Sequence, residues 1–230
     1  RSGSEVVTDE IFDEAFETFH SGEEKAWDPS ELLCTARHEA GHTLMCWLSG
    51  EVPSYVTIVA RGNHGGYMRH GDHEKKGSYS RGELLARIRT SLAGRAAEIV
   101  CYGPEEGLRT GASGDLRNAT AIATRILCSY GMDSEFGLAA ISEKQREQGE
   151  VSLEVRKMVN RILSEEMEKT IAAISSNRKA LDALVDSLMR KNHLSGPEID
   201  QIPVGSKISL SYTVKVAGKA MQPDFESVME

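Results

Sequence analysis

Two histidines one helical turn apart, with a glutamate beside the first, form the segment best suited to chemistry: His38-Glu39-Ala40-Gly41-His42. On a helix, side chains at i and i+4 share a face. Both imidazoles therefore point to one place, where a Zn2+ can sit about 2.0–2.1 Å from each nitrogen. Glu39 leans toward the same place and can take the proton of a water held on the metal. That help matters because free water, with a pKa of about 15.7, supplies almost no hydroxide at neutral pH. The spacing is that of an H-E-x-x-H zinc motif, set against the plainer reading of a structural His pair on a helix.

A catalytic zinc needs a third protein ligand and an open position. The longer H-E-x-x-H-x-x-G-x-x-H pattern is not met, because Met45 and Leu48 stand where Gly and His belong. No Glu occurs between Glu51 and Glu74, so the third ligand is more distant. Asp115 follows Gly111-Ala112-Ser113-Gly114, whose small residues would let a helix start approach the zinc helix. Glu98 lies mid-helix, His70 and His73 lie in a polar loop, and Cys34 is one turn before His38. The residues alone favour Asp115 over Glu98 by a small margin and leave the others open.

The elements that must position these groups are marked by their ends. Asp28-Pro29-Ser30-Glu31 predicts a helix start with Asp28 as cap and Glu31 closing a capping box. That helix runs to about Ser49 and stops at Gly50. Tyr55–Ala60 and Gly65–Arg69 read as two paired strands, and Gly71–Tyr79 as an exposed loop. Ser80-x-x-Glu83 starts a helix that ends at Gly103-Pro104. Another runs from near Ser113 to Tyr130, with Gly131 as its stop. Val151–Ile174 and Asn177–Lys191 predict an antiparallel helix hairpin, and Ser195-x-x-Glu198 caps a last short helix. The pattern 9–19 reads as an amphipathic helix, and Ile208 to Val216 alternates like a strand. Leu153, Val155, Met158, Val159, Ile162 and Leu163 are expected at core or interface positions. Lys157, Arg161, Lys169 and Arg178 are expected on exposed faces, and 146–150 in a solvated loop.

Composition narrows the function classes. Of 230 residues, 27 are Lys or Arg and 35 Asp or Glu, a net charge of −8. That balance argues against tracking nucleic-acid phosphates, which takes a basic surface. Hydrophobic content of 40% suits a domain with a real core. No apolar run approaches the roughly 18 residues that span a bilayer. The four cysteines, Cys34, Cys46, Cys101 and Cys128, form no Cys-x-x-Cys pair and read as reduced, buried thiols. No G-x-x-x-x-G-K-[ST] segment occurs, so no P-loop ATP site is expected.

Several further segments, in order, carry a resemblance. They are Val56-Thr-Ile-Val59-Ala-Arg-Gly62, Gly65-Gly-Tyr67, Leu92-Ala-Gly-Arg-Ala-Ala-Glu98 and Gly111-Ala-Ser-Gly-Asp115-Leu with Ala119-Thr120. Tyr130-Gly-Met132 and Leu194-Ser-Gly-Pro-Glu198-Ile also fit. With the zinc motif, these resemble the peptidase domain of the FtsH family of membrane-anchored, ATP-dependent zinc metalloproteases. The resemblance covers roughly residues 9–200. It implies a mainly α fold: a helical zinc-metallopeptidase domain with a small β-hairpin or sheet near the active site and a C-terminal helix hairpin. It implies Zn2+ held by His38, His42 and Asp115, Glu39 as general base, and Glu98 as a carboxylate behind the ligands, orienting a His. Gly65, Gly66 and Tyr67 would form an edge that pairs with extended substrate.

The resemblance also implies unfolded or misfolded polypeptide substrates, a homo-hexamer, and an AAA+ ATPase module carried by the parent chain. Neither nucleic acid nor direct membrane contact is expected for this fragment. The parent is expected to be membrane-anchored, with this domain on the cytoplasmic, matrix or stromal side. Residues 1–8, opening Arg1-Ser2-Gly3-Ser4, read as an expression remnant and linker, 9–200 as the peptidase domain, and 201–230 as an unassigned strand-like tail. Gly114 stands where the family usually has Asn, Arg37 where it often has an aromatic, and the stretch from His64 to His73 is unusually rich in His. A non-catalytic zinc-binding oligomerisation module is the rival reading, and an inactive helical scaffold a third.

Overall fold

The structure, a computed structural model, describes residues 28–60, 65–71, 77–147 and 149–202. The predicted helix at 9–19 and the strand pattern after Ile202 lie outside the described residues. In chain order the elements are α1 (Pro29–Leu48), β1 (Tyr55–Thr57), β2 (Tyr67–Arg69), α2 (Arg81–Tyr102), a 3-10 turn (Thr110–Ala112) and α3 (Ser113–Cys128). There follow α4 (Glu143–Arg146), α5 (Gly149–Ser176), α6 (Arg178–Lys191), β3 (His193–Ser195) and α7 (Gly196–Asp200). The fold is mainly α with one small antiparallel sheet, as expected. Among the described residues no helix is long and apolar enough to cross a membrane.

Helix α2 is the spine. Its Ala93, Ala96 and Ala97 join Ala36, Ala40 and Leu44 of α1 and Leu181, Leu184 and Leu188 of α6 in one buried cluster. Its Leu84, Ile88 and Leu92 join Ala119, Ala123 and Ile126 of α3 and Val155, Val159 and Ile162 of α5 in a second. Each fully buried Leu or Ile stabilises the fold by roughly 1.5–3 kcal/mol. Between α2 and α5, the buried Arg89 guanidinium reaches Glu166 at 2.5 Å, and Lys169 reaches the other oxygen of that carboxylate at 2.6 Å. Removing one partner of such a buried pair typically costs about 3–5 kcal/mol, because the other charge is left alone.

The local start and stop signals act where they stand. Ser80 and Glu83 close a reciprocal capping box on α2, and Gly103 (φ 92°) ends that helix. Ser195 and Glu198 do the same for α7. On α1, Asp28 accepts from the Ser30 amide at 2.8 Å and from its hydroxyl, instead of sharing a box with Glu31.

Several expectations change once packing is present. The strands are three residues each, shorter than predicted, because pairing lasts only from Tyr55↔Arg69 to Thr57↔Tyr67. The sheet order is β2-β1-β3, and β3 was not foreseen. Helices α5 and α6 do follow one another through a tight turn at Asn177, but they diverge, α5 lying on α2 and α3 and α6 on α1. Helix α3 ends at Cys128, before Tyr130. The segment 146–150, expected as loop, holds the end of α4 and the start of α5. Leu153, expected at a core or interface position, is 56% exposed and is not part of the core. Arg161, Lys169 and Arg178 hold Asp133, Glu166 and Asp182, so they brace the fold instead of only facing water. The four thiols are free, and Cys101 is only half-buried.

Candidate metal centre

The H-E-x-x-H segment lies in the middle of α1, where the chain is nearly inaccessible: Glu39 is 6% exposed and His42 7%. Helix α2 lies directly beneath it. A Cβ on Gly41 would stand 2.5 Å from the Ala93 carbonyl oxygen and 2.6 Å from the Ala97 Cβ, so the absent side chain permits the helices to close. A Cβ on Gly94 would overlap the His38 ring and stand 2.6 Å from His42 Nε2. Gly94 is thus the floor on which both imidazoles rest. It was part of the quoted Leu92–Glu98 segment, but no spacing rule gives it that place.

Each ring is held from behind. His42 Nδ1 lies 2.7 Å from the Thr90 carbonyl oxygen. A carbonyl only accepts, so Nδ1 donates and the Nε2 lone pair faces outward. His38 Nδ1 lies 3.0 Å from Glu98 Oε1, which orients it the same way. Thr90 carried no sequence signal, since it acts through its backbone. The other Glu98 oxygen is buried with no hydrogen-bond partner among the described residues.

Asp115, in the first turn of α3, completes the arrangement. Its Oδ2 lies 3.1 Å from His38 Nε2 and 3.5 Å from His42 Nε2, and the two Nε2 atoms are 3.1 Å apart. A tetrahedral zinc with ligands at about 2.0–2.1 Å has ligand–ligand edges of about 3.3 Å. The three donors therefore fit such an ion, with one corner open to the cavity. Burial opposes a charge on His38, yet hydrogen bonding to Asp115 and Glu98 overrides it and lifts the imidazole to about 10. Burial also works against ionising Asp115, but the hydrogen bonds to His38 and His42 hold it well below the usual carboxylate range. Both directions follow from the close approach of the two imidazoles to Asp115 and Glu98.

The other residues singled out from sequence fall around this triangle. Glu39 lines the same cavity; burial pushes its carboxyl up, against the pull of His42 and His38. Glu98 stands behind His38 and is not a corner. Cys34 lies 3.9 Å from Glu98 Oε1, and burial, then Glu98, push its thiol up. His70 lies apart beside Cys46 and Glu51, and His73 is outside the described residues. Gly65, Gly66 and Tyr67 line the cavity, which measures about 840 Å³. A Cβ on Gly66 would stand 2.6 Å from the Thr57 carbonyl oxygen and 3.0 Å from Glu39 Cγ. Among the described residues, strand β2 has a strand neighbour on one side only, β1.

Small size at Gly111 and Gly114, expected to let α3 approach, plays no such part. Gly111 has no atom within 4 Å of a built Cβ, and Gly114 only Arg117 at 3.9 Å. Their smallness is not what admits α3; only Ala112 is buried. An Asn at 114 would have room. Arg37, at the expected aromatic position, lies on the Tyr102 ring at 4.6 Å, and Arg109 lies at the same distance from that ring.

The family model described as peptidase family M41 matches residues 25–202. A second, described as CO dehydrogenase/acetyl-CoA synthase complex beta subunit, matches residues 179–230, which run from α6 into the part outside the described residues. The ATP-dependent zinc metalloprotease FtsH of Corynebacterium glutamicum is 30% identical over 220 residues, covering 88% of this chain and 25% of that protein. The protein of that name from Thermotoga maritima is 31% identical over 221 residues, covering 88% of this chain and 36% of its own. That from Nitrosococcus oceani is 33% identical over 187 residues, covering 75% and 29%. The chain thus spans about a quarter to a third of the length of the curated relatives it matches.

Proposed function

The chain belongs to peptidase family M41, and from that premise we propose that it is a zinc-dependent endopeptidase domain that hydrolyses peptide bonds of unfolded polypeptide. The observation that carries this reading is the triangle of His38, His42 and Asp115, with the buried Glu39 beside it in one cavity. Those three residues would hold Zn2+. Bound there, zinc would supply Lewis-acid polarisation of the scissile carbonyl and make a water at the site more acidic.

The remaining steps belong to the chain. Glu39 receives the water's proton and passes it to the leaving nitrogen. Burial, which raises its pKa, suits the uptake half of that transfer, since a carboxylate that grips its proton more tightly is the better base. Glu98 and the Thr90 carbonyl keep both rings in the tautomer that presents Nε2. Substrate extends along β2, pairing backbone to backbone; such pairing accepts varied sequences.

The relatives are named ATP-dependent. From the resemblance to the FtsH family we further propose that the full-length protein feeds this domain through an AAA+ module, in a homo-hexamer anchored to a membrane. Replacing Glu39 with Gln tests the chemistry. Cleavage of short unstructured peptides should fall by about 10²–10⁴-fold, with stoichiometric zinc retained by metal analysis. Turnover that survives the substitution would remove Glu39 from its role. Failure of the unaltered chain to cleave any peptide while binding zinc would favour a non-catalytic oligomerisation module.

A further inference from the structure

A second set of metal-binding side chains lies one helical turn beyond His42. Cys46 Sγ is 3.7 Å from His70 Nδ1, and that nitrogen is 3.6 Å from Glu51 Oε2. The three donor atoms all lie within 4.8 Å of one another. Backbone contacts bring them together from three stretches. Gly50 (φ 87°) turns the chain at the end of α1, so that the Glu51 amide bonds the Cys46 carbonyl at 3.1 Å. Ser54 then ties down the end of β2: its amide reaches the Arg69 carbonyl at 2.9 Å and its hydroxyl the His70 carbonyl at 3.0 Å.

We propose that Cys46, Glu51 and His70 form a second metal site, distinct from the His38, His42 and Asp115 centre, for a borderline-soft divalent cation of the Zn2+ class. Thiolate, imidazole and carboxylate together suit that class. A tetrahedral zinc with Zn–S of about 2.3 Å and Zn–N of about 2.0–2.1 Å has an S···N edge of about 3.6 Å and an N···O edge of about 3.3 Å. The S···N and N···O separations need only small adjustment, and the S···O edge lies within 4.8 Å. His70 and Glu51 have side chains 54% and 41% exposed, so they can make it, and the site is reached from solvent on their side.

Burial, then Glu51, pushes the Cys46 thiol up to about 12. Coordination deprotonates a thiol outright, so loading releases a proton and strengthens as pH rises. His70 directly follows β2 and also lines the large cavity. A cation here would therefore fasten the strand proposed to carry substrate to the helix that bears His38 and His42. The site itself does not depend on the peptidase reading.

Cobalt(II) is the probe, because thiolate-to-cobalt charge transfer absorbs in the near ultraviolet and the His38, His42 and Asp115 set has no sulfur. The metal-free 230-residue chain should take up two equivalents of Co2+, one of them bringing that band, and Zn2+ should displace both. His70→Ala, at an exposed position that leaves the core intact, should lose the band and one equivalent. Cys46→Ser should do the same, while Glu39→Gln keeps both. Uptake of a single equivalent without the band would overturn the proposal. So would a band that survives both Cys46→Ser and His70→Ala but disappears in Cys34→Ser, which would place the sulfur on the cavity wall beside Glu98.

Discussion

At the seam between α1 and α2, a single added carbon on Gly41 or Gly94 would press into backbone or into the imidazoles; at the α3 mouth of the same cavity, one on Gly111 or Gly114 would meet almost nothing. Three donors of one centre are thus set by two different kinds of structure. His38 and His42 come from a buried helix resting on another buried helix, where position and rotamer are dictated by contact. Asp115 comes from a helix start whose side chain is 31% exposed and whose neighbours have space. The contrast teaches where the centre draws its rigidity. The helix seam fixes two corners, and the third is brought in by the buried Ala112 and the packing of α3 on α2.

The sharpest way to break that comparison is Gly94→Ala. Alanine favours a helix over glycine by about 1 kcal/mol, and the atoms its Cβ meets are the far ends of side chains that can swing away. The substituted chain should therefore melt no lower than the original. The displaced rings, however, can no longer present both Nε2 atoms to one point. Loss of a ligand's outer partner commonly costs about 10–100-fold in metal affinity, and moving two ligands should cost at least about 100-fold. Zinc competition against a chromophoric chelator and a thermal melt read the two effects separately. Unchanged zinc affinity would mean that the seam does not set the corners.

Gly41→Ala probes the same seam and should behave oppositely. Its Cβ meets the Ala93 carbonyl and the Ala97 Cβ, which move only if the helices part. Overpacking of this kind costs about 1–3 kcal/mol, and the helix-propensity gain returns about 1 kcal/mol. A net loss of up to about 2 kcal/mol should appear as a lower melting temperature in the metal-free chain. If Gly94→Ala is the more destabilising of the two in that measurement, the assignment of one glycine to the rings and the other to the backbone is wrong.

What could be read from the residues follows the same division between local and non-local causes. Caps are local, so Ser80 with Glu83 and Ser195 with Glu198 were legible, as was the helical face shared by His38 and His42. Strand β3 was not, because His193-Leu194-Ser195 has no alternation to speak of and exists by pairing with Tyr55–Thr57, some 138 positions away in register (Thr57↔His193 differs by 136). The divergence of α5 and α6 was equally hidden, since their apolar stripes are alike in kind and only tertiary packing sends one to α2 and the other to α1. Asp115 and Glu98 were hard to separate for the same reason. Both are carboxylates far along the chain from the motif, and what distinguishes them is the side of the His38 ring each one meets: Nε2 for Asp115, Nδ1 for Glu98.

The mildest test concerns the strand rim, where β3 is braced by Glu198. That carboxylate accepts from the Ser195 amide at 2.9 Å and hydroxyl at 2.8 Å, and Lys191 contacts its other oxygen. The hydrogen bond from Lys191, then that from the Ser195 amide, lowers its pKa to about 2. A folded-state pKa below the unfolded value of about 4.3 means stability that is present above that value and is lost as pH falls through about 2. Glutamine can keep the box but not the charge facing Lys191. In metal-free chains, the melting temperature of the original should therefore exceed that of Glu198→Gln by a small, constant margin above pH 5. The margin should narrow between pH 4.5 and pH 3. The group is partly exposed, so solvent screening keeps the effect well below that of Gly41→Ala. A margin that stays constant on acidification would show that the box, not the ion pair, holds β3. A margin that widens would mean that the rim is strained by its carboxylate, as the seam is by a carbon added at Gly41.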